Sequence, residues 1–277
     1  MVGAVNKPLI SIITVCLNNL KELKQTLSSV FIQDFHNYEL IVIDGCSTDG
    51  TQEYLSHLES KGSRIRYISE KDQGIYDAMN KGIRLAHGSY TIFLNGGDLF
   101  ASEKTLSHVA QSLSSGNAPD LIYGDSIIEY PNSKNYQKTA SPLVEIYKGM
   151  PFVHQSMLIS TNWLKSHPFE LRYKIAADYD LVCKAFAEGL KFKHVDATIA
   201  RYQTGGLSDI KRLHTISEFK EIALRYLPNK FRTKCYYILR GNYERFAINI
   251  KKLLPKNVSL WLAHLKSQKL NAMRSIK

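Results

Sequence analysis

The 277-residue sequence contains neither G-x-G-x-x-G nor G-x-x-x-x-G-K-[ST], the glycine-rich loops that cradle a dinucleotide or a triphosphate. Their absence argues against a dinucleotide dehydrogenase and a P-loop NTPase. Cysteine is sparse and scattered: Cys16, Cys46, Cys183 and Cys235 show no C-x-x-C spacing and no pairing of the kind that staples small secreted domains. They read as buried small hydrophobes in a reducing cytoplasm. No apolar run approaches the ~20 residues needed to cross a bilayer. The chain does not open with a basic segment and apolar core, so a soluble or peripheral protein is expected. Fixed-period repeats and low-complexity tracts are also missing.

What is present is an alternation of strand and helix patterns. Residues 9–15 form a buried-strand run, after which Leu20, Leu23, Leu27, Val30 and Phe31 recur at helical spacing. Residues 39–43 make a second strand that ends in Asp44-Gly45-Cys46-Ser47-Thr48-Asp49-Gly50-Thr51, whose hydroxyls and carboxylates suit the start of a helix. A third strand at 64–68 leads to a helix from Ile75 that Gly88 stops, and a fourth at 90–94 breaks at Asn95-Gly96-Gly97-Asp98.

Strands joined by helical crossovers give an α/β protein with a largely parallel sheet covered on both faces. Strand ends of one sense fall on one edge, so Thr14 to Asn19, Asp44 to Asp49 and Asn95 to Asp98 should ring one crevice. Gly96 and Gly97 admit a phosphate, and Asp98 offers the hard oxygens that Mg²⁺ or Mn²⁺ prefers; ordinary turn chemistry is the competing reading. Farther on, 120–124 and 126–130 read as two strands of a mixed edge, and about 131–151 as a loop. Asp178 opens a helix, where the dipole favours a carboxylate and suits a base that must be ionised.

Five segments together resemble the family 2 glycosyltransferases: residues 11–15, 43–51, 77–83, 93–98 and 178–181. The likeness runs over roughly residues 8–210. It implies the GT-A fold, a Rossmann-like mixed sheet with helices on both faces. It also implies an inverting transfer of a hexose-type sugar from a nucleotide-sugar, usually UDP-linked, with Mn²⁺ or Mg²⁺. Relatives of this pattern extend O-antigen, colanic acid or capsule units on a lipid carrier, so an undecaprenyl-diphosphate-linked saccharide is the implied acceptor.

By position in the family's motifs, Thr14, Val15 and Asn18 hold the nucleoside, Asp44 approaches base and ribose, and Asp77, Asn80 and Asn95 belong to the donor site. Many relatives carry a second acid after Asp44; here it is Gly45. The family's Asp-x-Asp-Asp metal motif is reduced to Asn95-Gly96-Gly97-Asp98, leaving Asp98 for the metal. Asp178 matches the general base, with Asp180 as competing candidate. His154 and Gln155, together with Gly206 and Ser208 in a glycine turn, fall where relatives meet acceptor or diphosphate. A structural histidine, an ordinary turn, and capping by Asp77 and Asn80 remain the plainer alternatives.

The net charge of +11 lies in the tail: from Lys211 onward sixteen Lys or Arg face three acids. The sequence divides into a catalytic domain, 1–210, and a basic amphipathic helical region, 211–277. In the latter Lys230, Arg232, Lys234, Arg240, Arg245, Lys251 and Lys252 interleave with Phe, Tyr and Leu, and Trp261 suits a headgroup boundary. The expectation is attachment to the anionic inner face of the cell membrane; helices packed on the domain are the alternative. No nucleic-acid module accompanies the charge. Two other functions compete: a non-catalytic nucleotide-sugar or anionic-membrane binding module, and a sugar nucleotidyltransferase, which the missing phosphate loop disfavours.

Overall fold

The computed structural model describes residues 7–113, 118–130, 135–204 and 211–253. Its first half follows the hydrophobic pattern: β1 (Ile10–Cys16), α1 (Leu20–Phe31), β2 (Tyr38–Asp44), α2 (Thr51–Ser60), β3 (Ile65–Ser69), α3 (Ile75–Leu85) and β4 (Tyr90–Phe93). β5 (Leu99–Phe100), α4 (Thr105–Leu113), β6 (Leu121–Glu129) and β7 (Tyr136–Lys138) come next. Two 3₁₀ turns, Leu143–Lys148 and His154–Ser156, precede β8 (Met157–Ser160), α5 (Thr161–Ser166), α6 (Ala177–Ala187) and β9 (Phe192–Gln203). The chain continues into α7 (Arg212–Tyr226) and α8 (Lys230–Leu253).

Among the described residues the sheet has nine strands in the order β3-β2-β1-β4-β8-β6-β9-β5, with β7 against β6. β3, β2, β1 and β4 are parallel, while β8 is antiparallel to both β4 and β6. The chain winds outward from β1 through β2 to β3 and returns to β4 on the other side of β1. That reversal opens a crevice at the carboxyl ends of the strands.

β1 alternates sharply. Ile13 and Val15 enter one buried cluster with Ile41, Ile43, Phe93, α3 and α6; Ile10 and Ile12 enter another with Leu40, Val42, α1 and α4. Each fully buried Ile contributes about 1.5–3 kcal/mol, and a one-residue slip would expose the whole set. Ile216, Ile222 and Ala223 of α7, Leu227 just after it and Tyr237 of α8 lie in the first cluster, so the tail helices share a core with the sheet.

Two local expectations are revised, and one strand went unread. The two strands expected at 120–130 are one, β6, with a register shift against β9 around Asp125. β9, the longest strand at 12 residues, escaped the sequence pattern because its burial does not alternate. The expected loop at 131–151 holds β7 and a 3₁₀ turn.

Candidate active site

The three polar corners meet as the topology requires. Gly45 N donates to Cys16 O (2.9 Å) and Gly96 N to Val15 O (3.0 Å), so the corners after β2 and β4 lock onto the end of β1. Asn18 N donates to Ser47 Oγ and Asn18 Oδ1 accepts from Thr48 N, both at 2.8 Å. Asn18 and Cys46 have φ of 49° and 65°. Left-handed backbone at non-glycine residues persists only when neighbours enforce it, and it gathers at functional edges.

Several residues expected at the donor instead support this edge from below. Asp44 is fully buried and accepts from Ser47 N (3.1 Å) and Ser69 Oγ (2.5 Å), which ties β2 to β3. Thr14 is fully buried with an unpartnered hydroxyl, and Val15 belongs to the core. The pleat turns these side chains into the layers. Asn80 is buried with its amide spent on Phe169 N and O, both at 2.9 Å. Asp77 accepts from Gln73 N (2.9 Å) and lies 3.8 Å from Lys81 Nζ, in keeping with the capping alternative. Gly206 and Ser208 lie outside the described residues.

The remaining candidates converge. Asp98 Oδ2 accepts from Asn95 N (3.2 Å) and from Gln155 Nε2 (3.1 Å). His154 Nε2 is 3.2 Å from Asn95 Nδ2, and its Nδ1 is 3.3 Å from Asp178 Oδ2. Asp178 Oδ1 accepts from Tyr179 N (2.8 Å) and from Tyr76 OH (3.4 Å). Asp98 and Asp178 therefore stand on either side of one imidazole.

Electrostatics sharpen the arrangement. Burial pushes the Asp98 carboxyl up to about 6, against the opposing pull of the His154 charge and the Gln155 hydrogen bond. Burial on its own would lower His154, but the hydrogen bond and charge of Asp178, joined by the charge of Asp98, raise it on balance. Tyr76 is held well above the usual phenol range, first by burial and then by the charge of Asp178, so it remains a donor. Asp180 turns elsewhere: it is buried, and burial, then the charge of Glu170, raises it to about 6.

Three contributors carried no recognisable signal in the sequence. Tyr76 links α3 to the base, donating also to Ile175 O (2.6 Å). Glu218 of α7 is buried and accepts from the backbone N–H groups of Lys174 (2.9 Å), Ile175 (3.0 Å) and Ala176 (2.9 Å), immediately before Asp178. Asp72 fills the place of a side chain at position 45, its Oδ2 2.7 Å from where a Cβ on Gly45 would stand. A carboxylate from the β3–α3 loop thus lies beside position 45.

A metal can be tested against these groups. Asn95 Oδ1 is buried without a partner, and with the Asp98 carboxylate it supplies hard oxygen donors on one side of the crevice. Among the described residues no group of three or more His, Cys, Asp or Glu gathers to hold an ion. The donor set fits a divalent cation that takes its other ligands from substrate.

Solved structures share the fold. S. aureus TarS 1-349 in complex with UDP-GlcNAc matches with a TM-score of 0.62 and 18% identity over 82% of this chain and 70% of that one. Mannosyltransferase PcManGT from Pyrobaculum calidifontis, in complex with GDP-Man and Mn²⁺, matches with a TM-score of 0.65 and 14% identity over 99% and 89%. The expected GT-A fold is present.

A family model described as Glycosyl transferase family 2 matches residues 11–172, and the chain belongs to that family. A PGL/p-HBAD biosynthesis glycosyltransferase of Mycobacterium bovis is 32% identical over 206 residues, 73% of this chain and 80% of the relative. An uncharacterized glycosyltransferase of Methanocaldococcus jannaschii is 25% identical over 273 residues, 94% of this chain and 87% of that one. The protein is a glycosyltransferase, as the motifs implied.

Proposed function

We propose that the protein is an inverting glycosyltransferase that moves a hexose-type sugar from a UDP-sugar to a lipid-linked saccharide acceptor in surface polysaccharide biosynthesis. The observation that carries this reading is the placement of Asp98 and Asp178 across His154, at the carboxyl edge of β1, β2 and β4. An inverting displacement needs a base for the acceptor hydroxyl on the face opposite the departing diphosphate. Asp178 takes that proton. It is oriented by Tyr179 N, Tyr76 and His154, and lies in the first turn of α6, where the dipole favours negative charge.

His154, raised toward its charged form, faces the diphosphate and aligns Asn95. Gln155 fixes Asp98. Asp98 and Asn95 Oδ1 would hold Mn²⁺ or Mg²⁺, which neutralises charge on a leaving diphosphate when bound. The exit of β1 and the 44–48 corner present backbone toward the nucleoside, and Asp72 supplies the carboxylate for base or ribose. The printed ligands of the TarS and PcManGT structures, UDP-GlcNAc and GDP-Man with Mn²⁺, support a nucleotide-sugar donor.

Attachment to an anionic membrane surface is part of the same reading, and the outer face of α8 supports it. Phe231, Leu239, Tyr243 and Phe246 are 80%, 70%, 69% and 65% exposed along one stripe, opposite the buried Thr233, Tyr237 and Gly241. The basic set is smaller than the sequence implied. Lys230 donates to Leu224 O and Arg225 O at the end of α7, Arg232 stacks on Tyr147 at 4.1 Å, and Arg240 donates to Lys148 O. Among the described residues no helix is long and apolar enough to cross a membrane.

The test is release of nucleoside diphosphate from a panel of labelled nucleotide-sugars, with and without Mn²⁺ and a lipid-linked acceptor. UDP release that depends on acceptor, with product of inverted configuration, supports the reading; a retained configuration overturns inversion. For the membrane, Leu239→Asp with Phe246→Asp should abolish flotation with anionic liposomes, and unchanged flotation defeats attachment through α8.

A further inference from the structure

Lys81 stands in the 77–83 motif without a part in the chemistry above, and it is buried in the turn of α3 between Asn80 and Gly82. Taking an ammonium out of water is costly unless oxygens receive its protons. Two of them come from the β3–α3 loop: Lys71 O accepts at 2.6 Å and Glu70 Oε1 lies at 3.0 Å. The third, Asp77 Oδ2, is one turn back on α3, 3.8 Å away. An apolar side chain would fill the same volume without that cost, and a buried charge is poor evidence of stability. What this charge secures is the path of the loop.

The contacts bracket Asp72. Lys71, whose carbonyl Lys81 holds, comes directly before it. Gln73, directly after it, donates its N–H to Asp77 Oδ2 (2.9 Å), the oxygen that faces Lys81. Asp72 Oδ1 accepts from Gly74 N (2.8 Å), where a φ of 123° turns the chain into α3. Asp72 Oδ2 then reaches Gly45, and Leu17 Cδ1 of the exposed Leu17 lies 3.3 Å from the same Cβ position.

The anchor is firmer than the loop it holds. Asn80 is bonded through both amide atoms to Phe169, and Gly82 packs so closely on β1 that a Cβ there would run into the Ile13 side chain. The turn that carries Lys81 is thereby fixed to the sheet, whereas Glu70 and Lys71 are exposed.

We propose that Lys81 is a positioning residue for the donor, holding the loop at 70–73 so that Asp72 meets the nucleoside beside Gly45 and Leu17. The inference rests on the reading of Asp72 as a donor contact and adds what keeps that carboxylate in place.

Calorimetric titration of the full chain with UDP and with inorganic pyrophosphate, both in Mn²⁺, tests this. Lys81→Met should weaken UDP ~5-fold, the loss expected when one hydrogen-bonding group is no longer held in place. Pyrophosphate, which offers no nucleoside to Asp72, should bind within about twofold of wild type. Lys81→Arg, which keeps the charge and the donors, should recover most of the loss. Combined with Asp72→Asn, Lys81→Met should weaken UDP no further than Asp72→Asn alone, because a carboxylate already removed cannot be misplaced. If Lys81→Met does not fold, Lys81→Gln takes its place with the same expectations, since it stays polar but ends about one bond short of Lys71 O.

Unchanged UDP affinity in Lys81→Met overturns the proposal. Equal losses for UDP and pyrophosphate, the mark of general damage, also overturn it, as do losses that multiply in the double variant. The two readings fail separately. If Asp72→Asn weakens UDP and Lys81→Met does not, the positioning role falls and Asp72 stays at the donor. If Asp72→Asn itself binds UDP as the wild type does, the donor role of Asp72 falls and the proposal falls with it.

Discussion

Asp98 is held in a site that disfavours its ionised form, and replacing it should strengthen the metal-free protein while destroying its activity. Its pKa is raised from 3.8 to about 6, chiefly by burial. A folded pKa above the unfolded one means the folded state holds the extra proton. The stability this supplies is complete below 3.8 and lost as pH rises through about 6. At pH 8 the wild type has forfeited about 3 kcal/mol that a permanently neutral side chain keeps.

Asp98→Asn retains an oxygen for Asn95 N and Gln155 Nε2 but buries an added NH₂ group that has no acceptor in place, at a cost of about 1 kcal/mol at either pH. The variant should therefore be about 2 kcal/mol more stable at pH 8, or some 4 °C in Tm. At pH 5 the wild type recovers about half of those 3 kcal/mol, so the advantage should fall below about 1 kcal/mol. Calorimetry of the full chain in chelator at the two pH values gives both numbers, and a nucleoside-diphosphate release assay should show the variant inactive. A variant less stable than wild type at pH 8, or a difference independent of pH, would refute the argument.

Two further outcomes follow from the supports of the site. Glu218→Ala leaves three N–H groups before Asp178 without their acceptor, two of them buried, which should cost about 3 kcal/mol of stability and lower kcat more than it alters donor KM. Glu218→Gln should recover part of both, and thermal melts with steady-state kinetics check this. Asp72→Asn should raise donor KM about 10-fold with little change in kcat, since the carboxylate beside Gly45 serves binding rather than proton transfer. A fall in kcat alone would contradict that placement.

The first half of the fold was legible because β1 to β4 are short apolar runs punctuated by glycine and Asp, and α1 and α3 bury one stripe each. β9 was not, since it pairs in parallel with β6 and antiparallel with β5 and is only partly covered. Within the site, Asn95, Asp98 and Asp178 stood in the motifs and His154 and Gln155 in a segment between them, and the structure brings the five together.

Asp44, Thr14 and Asn80 stood in the motifs too, but their side chains brace the edge from inside. A motif marks the neighbourhood of a ligand without saying which way a side chain points. Asp72 and Glu218 were invisible for the opposite reason, because each acts through a backbone or a vacancy far off in sequence. The tail read as a basic appendage because its charge is conspicuous, while the contacts of Ile216, Ile222 and Tyr237 with the sheet are long-range.

Asp178→Asn tests the central claim most directly, with donor binding measured beside turnover on an acceptor that supports the wild type. The expected result is a loss of turnover of about 10³-fold with donor Kd within twofold, because the amide keeps the shape and cannot take the proton. Turnover retained within tenfold at unchanged donor affinity would contradict it and remove Asp178 from the mechanism.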